Sequence, residues 1–383
     1  MENIYEQSIA LHKEHGGKLE VKSKVPLLNK NDLSLAYTPG VAGVCLAIAK
    51  DKKLASVYTL KKNTVAIVSD GTAILGLGDL GPLAAIPVME GKAAIFKEFG
   101  GVDAFPICLE TKDTEEIIRI VKMIAPVFGG INLEDISAPR CFEIEERLRK
   151  ELDIPVMHDD QWGAATVSLA ALINALKITG LDKKEAKVVL SGVGAAGVAT
   201  GRLLHEYGIT QTIFCDSQGI INSKRQNLNK EKIELLKGST MIEKDGDLTE
   251  ALKGADVFIG LSKPNLVTEE MVKSMGPKPI IFALANPTPE IMPNLAYAAG
   301  AAVVATGRSD LPNQINNSLV FPGAFKAMLD CQIPQFENKI FITAAIALAN
   351  MIENPTPEKI IPSMFDPKVK DIVYQAVASL ATK

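Results

Sequence analysis

The stretch Val188–Gly208 reads VVLSGVGAAGVATGRLLHEYG. A β-branched run ends at Ser191, glycines follow at 192, 194 and 197, and a helix-forming segment opens at once. Strand, glycine turn and helix in that order are the setting in which a G-x-G-x-x-G fingerprint binds a dinucleotide. The three glycines do different things. Gly192 makes the tight turn, Gly194 lets the backbone approach a pyrophosphate, and Gly197 allows close contact between helix and strand. With Ala195 and Ala196 between them, they place a phosphate over residues 193–197, at the positive end of the helix. The next strand runs into CDSQG, so Asp216 stands about 20 residues past the fingerprint, where an acid receives the ribose hydroxyls. An acid there repels a 2′-phosphate, which favours NAD over NADP, a preference tempered by Lys224 and Arg225 nearby. The competing explanation is a glycine-rich contact between helix and strand with no ligand.

Outward from this turn the chain alternates. Downstream, strand-like runs at 211–215, 256–260, 279–284 and 302–306 continue the sheet that 187–191 begins, with helical segments between them. Upstream, runs at 64–69, 102–109, 130–133 and 154–158 are separated by helix-length segments at 81–99, 113–125 and 141–151. Both series carry the βαβ signature of parallel sheets. A long helix from about Trp162 to Ile178 joins them, and from Phe321 onward the pattern is helical. The expected architecture is α/β with two successive parallel-sheet domains, the second of Rossmann type, and a helical C-terminal tail. The divisions fall at 1–161 (catalytic and metal-binding), 162–311 (NAD-binding) and 312–383, with the tail packing back on the first domain. A first helix ends at Gly16-Gly17, and a Lys-, Asn- and Pro-rich loop runs to about Leu35.

Composition narrows the function. With 47% hydrophobic and 22% charged residues, the 383-residue chain matches ordinary globular proteins. Forty-one basic against 45 acidic residues give a net charge of −4 with no basic block, which argues against nucleic acid. Five scattered cysteines read as reduced thiols and suggest a cytoplasmic protein. The charged amino terminus lacks a signal core, and no segment reads as a membrane span.

Ligands of an open parallel sheet bind beyond the carboxyl ends of its strands. In the first series those ends carry Asp70, Glu134-Asp135 and Asp159-Asp160. Several carboxylates meeting there raise one another's pKa values, a cost that a divalent cation removes. All-oxygen ligation without a His or Cys cluster suits Mg²⁺ or Mn²⁺ rather than zinc. Helix capping by Asp135 and Asp160 is the simpler alternative for either pair alone.

The chain resembles the malic enzymes in their short bacterial form. The resemblance runs from about Leu35 to Ala324 and rests on SLAYTPGVA (34–42), SDGTAILGLGDLGPLAAIPVMEGKAAIFK (69–97), INLEDI (131–136), HDDQWGAA (158–165), GVGAAG (192–197), ALANPTPE (283–290) and TGRSDLPNQINNSLVFPG (306–323). It implies oxidative decarboxylation of malate to pyruvate and carbon dioxide, with reduction of NAD and aid from Mg²⁺ or Mn²⁺. By the same resemblance Tyr37 is the general acid and Lys92 the general base. Glu134, Asp135 and Asp160 are the metal ligands, and Asp159 is a catalytic-site aspartate beside the lysine. Asn286 and Asn317 hold substrate or nicotinamide, and short relatives are homodimers with the amino-terminal region at the interface.

To act as a base Lys92 must be neutral, and the cation together with burial is expected to lower its pKa. Taken singly, the residues have plainer roles: Tyr37 as a turn residue, Lys92 as a snorkelling surface lysine, His158 as a hydrogen-bonded strand-end residue, and Asn286 and Asn317 in turns or caps. Two departures stand out. Thr72-Ala73 occupy the place where larger members have a carboxylate-gripping arginine, and Trp162 stands where short relatives often have histidine. The rival activity is metal-dependent decarboxylation of oxaloacetate, or a malolactic lyase, on the same scaffold. A nucleotide sensor would need none of the acids.

Overall fold

The computed structural model describes residues 3–226 and 228–381. Four helices come first: α1 (Ile4–His15), α2 (Lys30–Ala36), α3 (Val41–Lys50) and α4 (Ala55–Tyr58). None of them has a buried residue. The stretch expected to be loop as far as Leu35 therefore contains α2, which starts where the Asn29 side chain accepts the N–H of Asp32.

The first sheet contains β1 (Thr64–Ser69), β2 (Asp103–Cys108), β3 (Gly130–Leu133) and β4 (Val156–His158), in the order β2-β1-β3-β4 and parallel throughout. Its crossovers are α5 (Pro82–Gly100), α6 (Thr114–Ile124) and α7 (Arg140–Glu151). All of β1 and β3 is buried, as expected for parallel strands covered on both faces. Strand order reverses between β1 and β3, which makes their carboxyl ends the natural crevice of this sheet.

Helix α8 (Asp159–Thr179) leaves β4 directly and is three residues longer at its start than its composition suggested. Asp159 and Asp160 therefore occupy its first turn, where carboxylates suit the positive helix end. The second sheet takes β5 (Val188–Ser191), then α9 (Ala195–Tyr207), β6 (Thr212–Asp216), β7 (Gly219–Ile221), α10 (Lys230–Gly238), α11 (Leu248–Leu252), β8 (Val257–Gly260), α12 (Glu269–Lys273), β9 (Ile280–Ala283), α13 (Pro293–Ala298) and β10 (Val303–Thr306). Its order is β10-β9-β8-β5-β6-β7. Five strands are parallel as expected; β7 is an antiparallel edge strand hairpinned to β6. Here the order reverses between β5 and β8, beside Gly192.

The tail comprises α14 (Phe321–Asp330), α15 (Asn338–Asn350) and α16 (Lys368–Ala378). Helix α14 lies on α5, and α15 lies on α8. One apolar core cluster runs from Val65 of β1 through α8 to Val377 of α16. By length and composition alone, Lys30–Lys50 and Asp159–Thr179 are apolar enough to cross a membrane, which the sequence had not suggested. The second is the core helix α8, whose residues are mostly buried, and the first is interrupted at residues 37–40.

Candidate active site

Four distant segments bring ionisable groups to the β1–β3 crevice. Lys92 projects from the middle of α5 and is 9% exposed. Its Nζ lies 2.5 Å from Glu134 Oε2 at the end of β3 and 2.5 Å from Asp159 Oδ2 at the start of α8. From the other side it sits 4.6 Å from the ring centroid of Phe321 in the tail. A snorkelling lysine would reach water, and this one is enclosed.

Glu134, Asp135 and Asp160 each offer a carboxylate oxygen within 4.8 Å of the others. Asp160 Oδ2 accepts the Asp135 N–H at 2.8 Å, and Asp135 has a left-handed φ of 53°. Neither Asp135 nor Asp160 serves as a side-chain cap of α7 or α8. Burial first, and then the Asp160 charge, push Glu134 well up and Asp135 up to about 8. Asp135 Oδ2 is buried without a hydrogen-bond partner among the described residues. Three converging oxygens, one of them orphaned, fit a hard divalent cation.

Lys92 departs from expectation. Burial does work to lower its pKa, but Asp159, Glu134 and Asp160 together outweigh it and hold the ammonium above its ordinary value. Asn317 joins the group, donating from Nδ2 to Asp159 Oδ2 at 3.2 Å. Asn286 is exposed and instead stands at the domain junction, its carbonyl next to Gly76 and its amide next to Gly307.

Tyr37 is not part of the cluster. It is 65% exposed, and its hydroxyl has no hydrogen-bond partner among the described residues. His158 is the expected hydrogen-bonded strand-end residue through its backbone alone: the side chain is fully buried, both ring nitrogens lack hydrogen-bond partners among the described residues, and Nε2 stands 3.7 Å from Asp160 Oδ2.

Sequence reasoning missed two supports. Glu145, buried on α7, accepts the His158 N–H, the Gln161 amide and the Trp162 indole N–H, each at about 2.9 Å. It thereby clamps the first turn of α8, while Trp162 stacks on Phe341 of α15 with centroids 4.8 Å apart. The indole is thus a structural aromatic. Arg140, from the start of α7, donates to buried Asp70 at 2.8 Å and to Thr72 at 3.0 Å. Nothing in the one-dimensional pattern ties either residue to the crevice.

The glycine turn is built as its motif requires. Gly192 has φ +100°, and a Cβ on Gly197 would lie 1.9 Å from the Gly192 carbonyl oxygen, so only glycine fits at 197. Gly194 is the N-cap of α9, leaving the amides of Ala195, Ala196 and Gly197 at its open end. Asp216 ends β6 and is already engaged by Arg225 and Lys232.

A Rossmann sheet with an intact glycine turn, joined to a second α/β sheet whose crevice holds a lysine and clustered acids, defines a dinucleotide-dependent oxidoreductase class. Residues 16–149 match the family model for the malic enzyme N-terminal domain, and 162–382 match that for the malic enzyme NAD binding domain. The chain is 54% identical to an NAD-dependent malic enzyme of Geobacillus stearothermophilus, over 99% of this chain and 79% of that one. It is 52% identical to a bifunctional malic/malolactic enzyme of Bacillus subtilis, over 99% and 93% of the two chains. The crystal structure of an NAD-dependent malic enzyme from Thermotoga maritima superposes with a TM-score of 0.94 at 49% identity, covering 97% of this chain and 98% of that one. The chain belongs to the malic enzyme family.

Proposed function

We infer that the chain oxidises and decarboxylates malate to pyruvate and carbon dioxide, reduces NAD, and uses Mg²⁺ or Mn²⁺. The observation that carries this is the enclosed Lys92, bonded to Asp159 and Glu134 beside the carboxylates of Asp135 and Asp160. Glu134, Asp135 and Asp160 would hold the cation. When bound, it supplies Lewis-acid polarisation of the substrate oxygens and charge that offsets the acids. Lys92, relieved of that excess negative charge, takes the hydroxyl proton of malate as general base, and Asp159 orients its amine. Asn317 positions the substrate through its place beside Asp159. The glycine turn would hold the pyrophosphate of NAD, whose nicotinamide supplies the hydride acceptor when bound, with Asn286 at the junction of the two sheets. The keto acid left by the oxidation loses carbon dioxide and becomes an enolate. Tyr37 then delivers the proton to the enol carbon. A lyase acting on oxaloacetate has no net need of the glycine turn, which favours the oxidative reading.

Tyr37 is one of several exposed apolar residues of the amino-terminal helices, with Ile9, Leu35 and Leu46 each about 70% exposed. Covering them with a second copy would form a homodimer. Five unbonded cysteines suit the cytoplasm. The functional division proposed is 1–161, 162–311 and a 312–383 tail.

Absorbance of NADH with malate, NAD and Mn²⁺ is expected to rise. No NADH under those conditions, with carbon dioxide released from oxaloacetate without NAD, would replace this reading with the lyase.

A further inference from the structure

Glu290 closes the ALANPTPE stretch, and no step described above uses it. It is fully buried, and among the described residues it forms no ion pair. Carboxylates are almost never buried so completely unless they are paired. Its partners are backbone amides instead. Oε1 accepts the Ser262 N–H at 3.0 Å, from the loop after β8, and Oε2 accepts the Ala285 N–H at 3.0 Å, from the loop after β9. Two amides converging on the two ends of one group need an acceptor at each, which a carboxylate supplies and a glutamine does not. The space is cut to match: a Cβ on Gly260, the last residue of β8, would lie 2.4 Å from the Glu290 carboxyl carbon.

The two loops lead to different ends of the crevice. Leu261 and Ser262 form a wall of the glycine turn. The Leu261 N–H donates to the Ser191 carbonyl at 2.8 Å, the Ser262 hydroxyl is 3.3 Å from that of Ser191, and a Cβ on Gly192 would meet the Leu261 carbonyl oxygen at 2.4 Å. Ala285 is followed directly by Asn286, whose carbonyl and amide stand next to Gly76 and Gly307 at the domain junction. One buried side chain therefore fixes the residue before Asn286 against the wall of the glycine turn.

We propose that Glu290 is a positioning residue that holds Asn286 in register with the glycine turn, by tying the loops after β8 and β9 into one binding surface for the nicotinamide end of the dinucleotide. The proposal rests on the dinucleotide reading and on the placement of Asn286 at the nicotinamide, and it names the side chain on which that placement depends.

Calorimetric titration of the intact chain with NADH, and with ADP-ribose, which lacks the nicotinamide, tests it without turnover. Asn286→Ala and Glu290→Gln should each weaken NADH about 10-fold, the scale of one lost hydrogen bond to a charged group, and each leave ADP-ribose within about threefold of wild type. In the double variant the loss for NADH should equal that of Asn286→Ala alone, because a positioning residue then has nothing left to position. Gly260→Ala displaces the same carboxyl from β8 and should give the same split; it carries the test if Glu290→Gln does not fold. Three results overturn the proposal while leaving the dinucleotide site standing: Asn286→Ala weakens NADH and neither Glu290→Gln nor Gly260→Ala does, the two losses add in the double variant, or Glu290→Gln weakens ADP-ribose as much as NADH. If Asn286→Ala leaves NADH binding unchanged, or wild type binds neither ligand, the underlying reading fails and this proposal fails with it.

Discussion

At the scale of single residues the site is a contest between burial and charge. Lys92 is enclosed enough to lose its proton, yet three carboxylates keep it an ammonium, while Glu134 and Asp135 are held toward their neutral forms. A divalent cation resolves both strains, since it takes up the negative charge that opposes each deprotonation. Removing one group at a time separates the roles. In Lys92→Ala the rate of malate oxidation should fall by about 10²- to 10⁴-fold, the usual range for a lost general base. Mn²⁺ should still raise its melting temperature. In Asp160→Asn the Mn²⁺-induced rise should disappear, a loss of about 2.7 kcal/mol at a cation concentration 100 times the dissociation constant. A thermal scan with and without chelator reads both variants, and an unchanged rise in Asp160→Asn would remove that residue from the ligand set.

At the scale of elements, α8 sets the geometry. Its first turn carries Asp159 and Asp160, and Glu145 clamps that turn through Trp162. Gly163 lies one turn on, where an added Cβ would be 2.2 Å from Asp159 Oδ1. Gly163→Ala should therefore push Asp159 off Lys92 and lower the rate by about 10²-fold, the scale of a misplacement near 1 Å. Alanine is otherwise favoured in a helix by up to about 1 kcal/mol, so the melting temperature should hold while kcat falls. A drop in stability with kcat unchanged would mean that Gly163 serves packing alone. Helix α9 offers a pH test. Burial lowers His205 from 6.5 to about 4, while its ring bonds Thr212 Oγ1 at 2.7 Å. Between those values the unfolded chain binds a proton that the folded chain does not. Stability is therefore complete above about pH 6.5 and lost as pH falls toward about 4. Wild type should lose more stability from pH 7 to pH 5 than His205→Gln, measured by urea unfolding; parallel losses would refute the assignment. The sequence already showed most of these elements, because buried parallel strands are continuous apolar runs and a glycine turn between strand and helix marks where one ends and the other begins. It hid α2 and β7, whose short polar-flanked segments have no period of their own. It also hid the roles of Glu145, the unbonded ring of His158 and the engagement of Asp216 by Arg225 and Lys232, since each depends on side chains meeting from separate elements. His205 is half-buried for the same reason.

At the scale of the whole molecule, the amino-terminal sixty residues pose a different problem from the two sheets. Helices α1 to α4 bury no residue, and Ile4, Ile9, Leu28, Leu35, Tyr37, Leu46 and Tyr58 are all exposed. Apolar surface so extended marks an interaction site, and a self-complementary pairing of two copies is the commonest way to cover it. Tyr37 is exposed and Lys92 is buried, so the two groups proposed to react need not belong to the same copy. Mixing decides the matter. Tyr37→Phe and Lys92→Ala homodimers should each be nearly inactive. If Tyr37 of one copy serves Lys92 of the other, a mixed dimer of the two variants carries one intact pair and one doubly defective pair. Co-expressed and purified through two different tags, it should recover about half of the wild-type rate. If both groups act within one copy, each half of the mixed dimer carries one defect and the preparation stays as inactive as its parents. A chain that runs as a monomer at assay concentration, measured by sedimentation, would overturn the pairing itself.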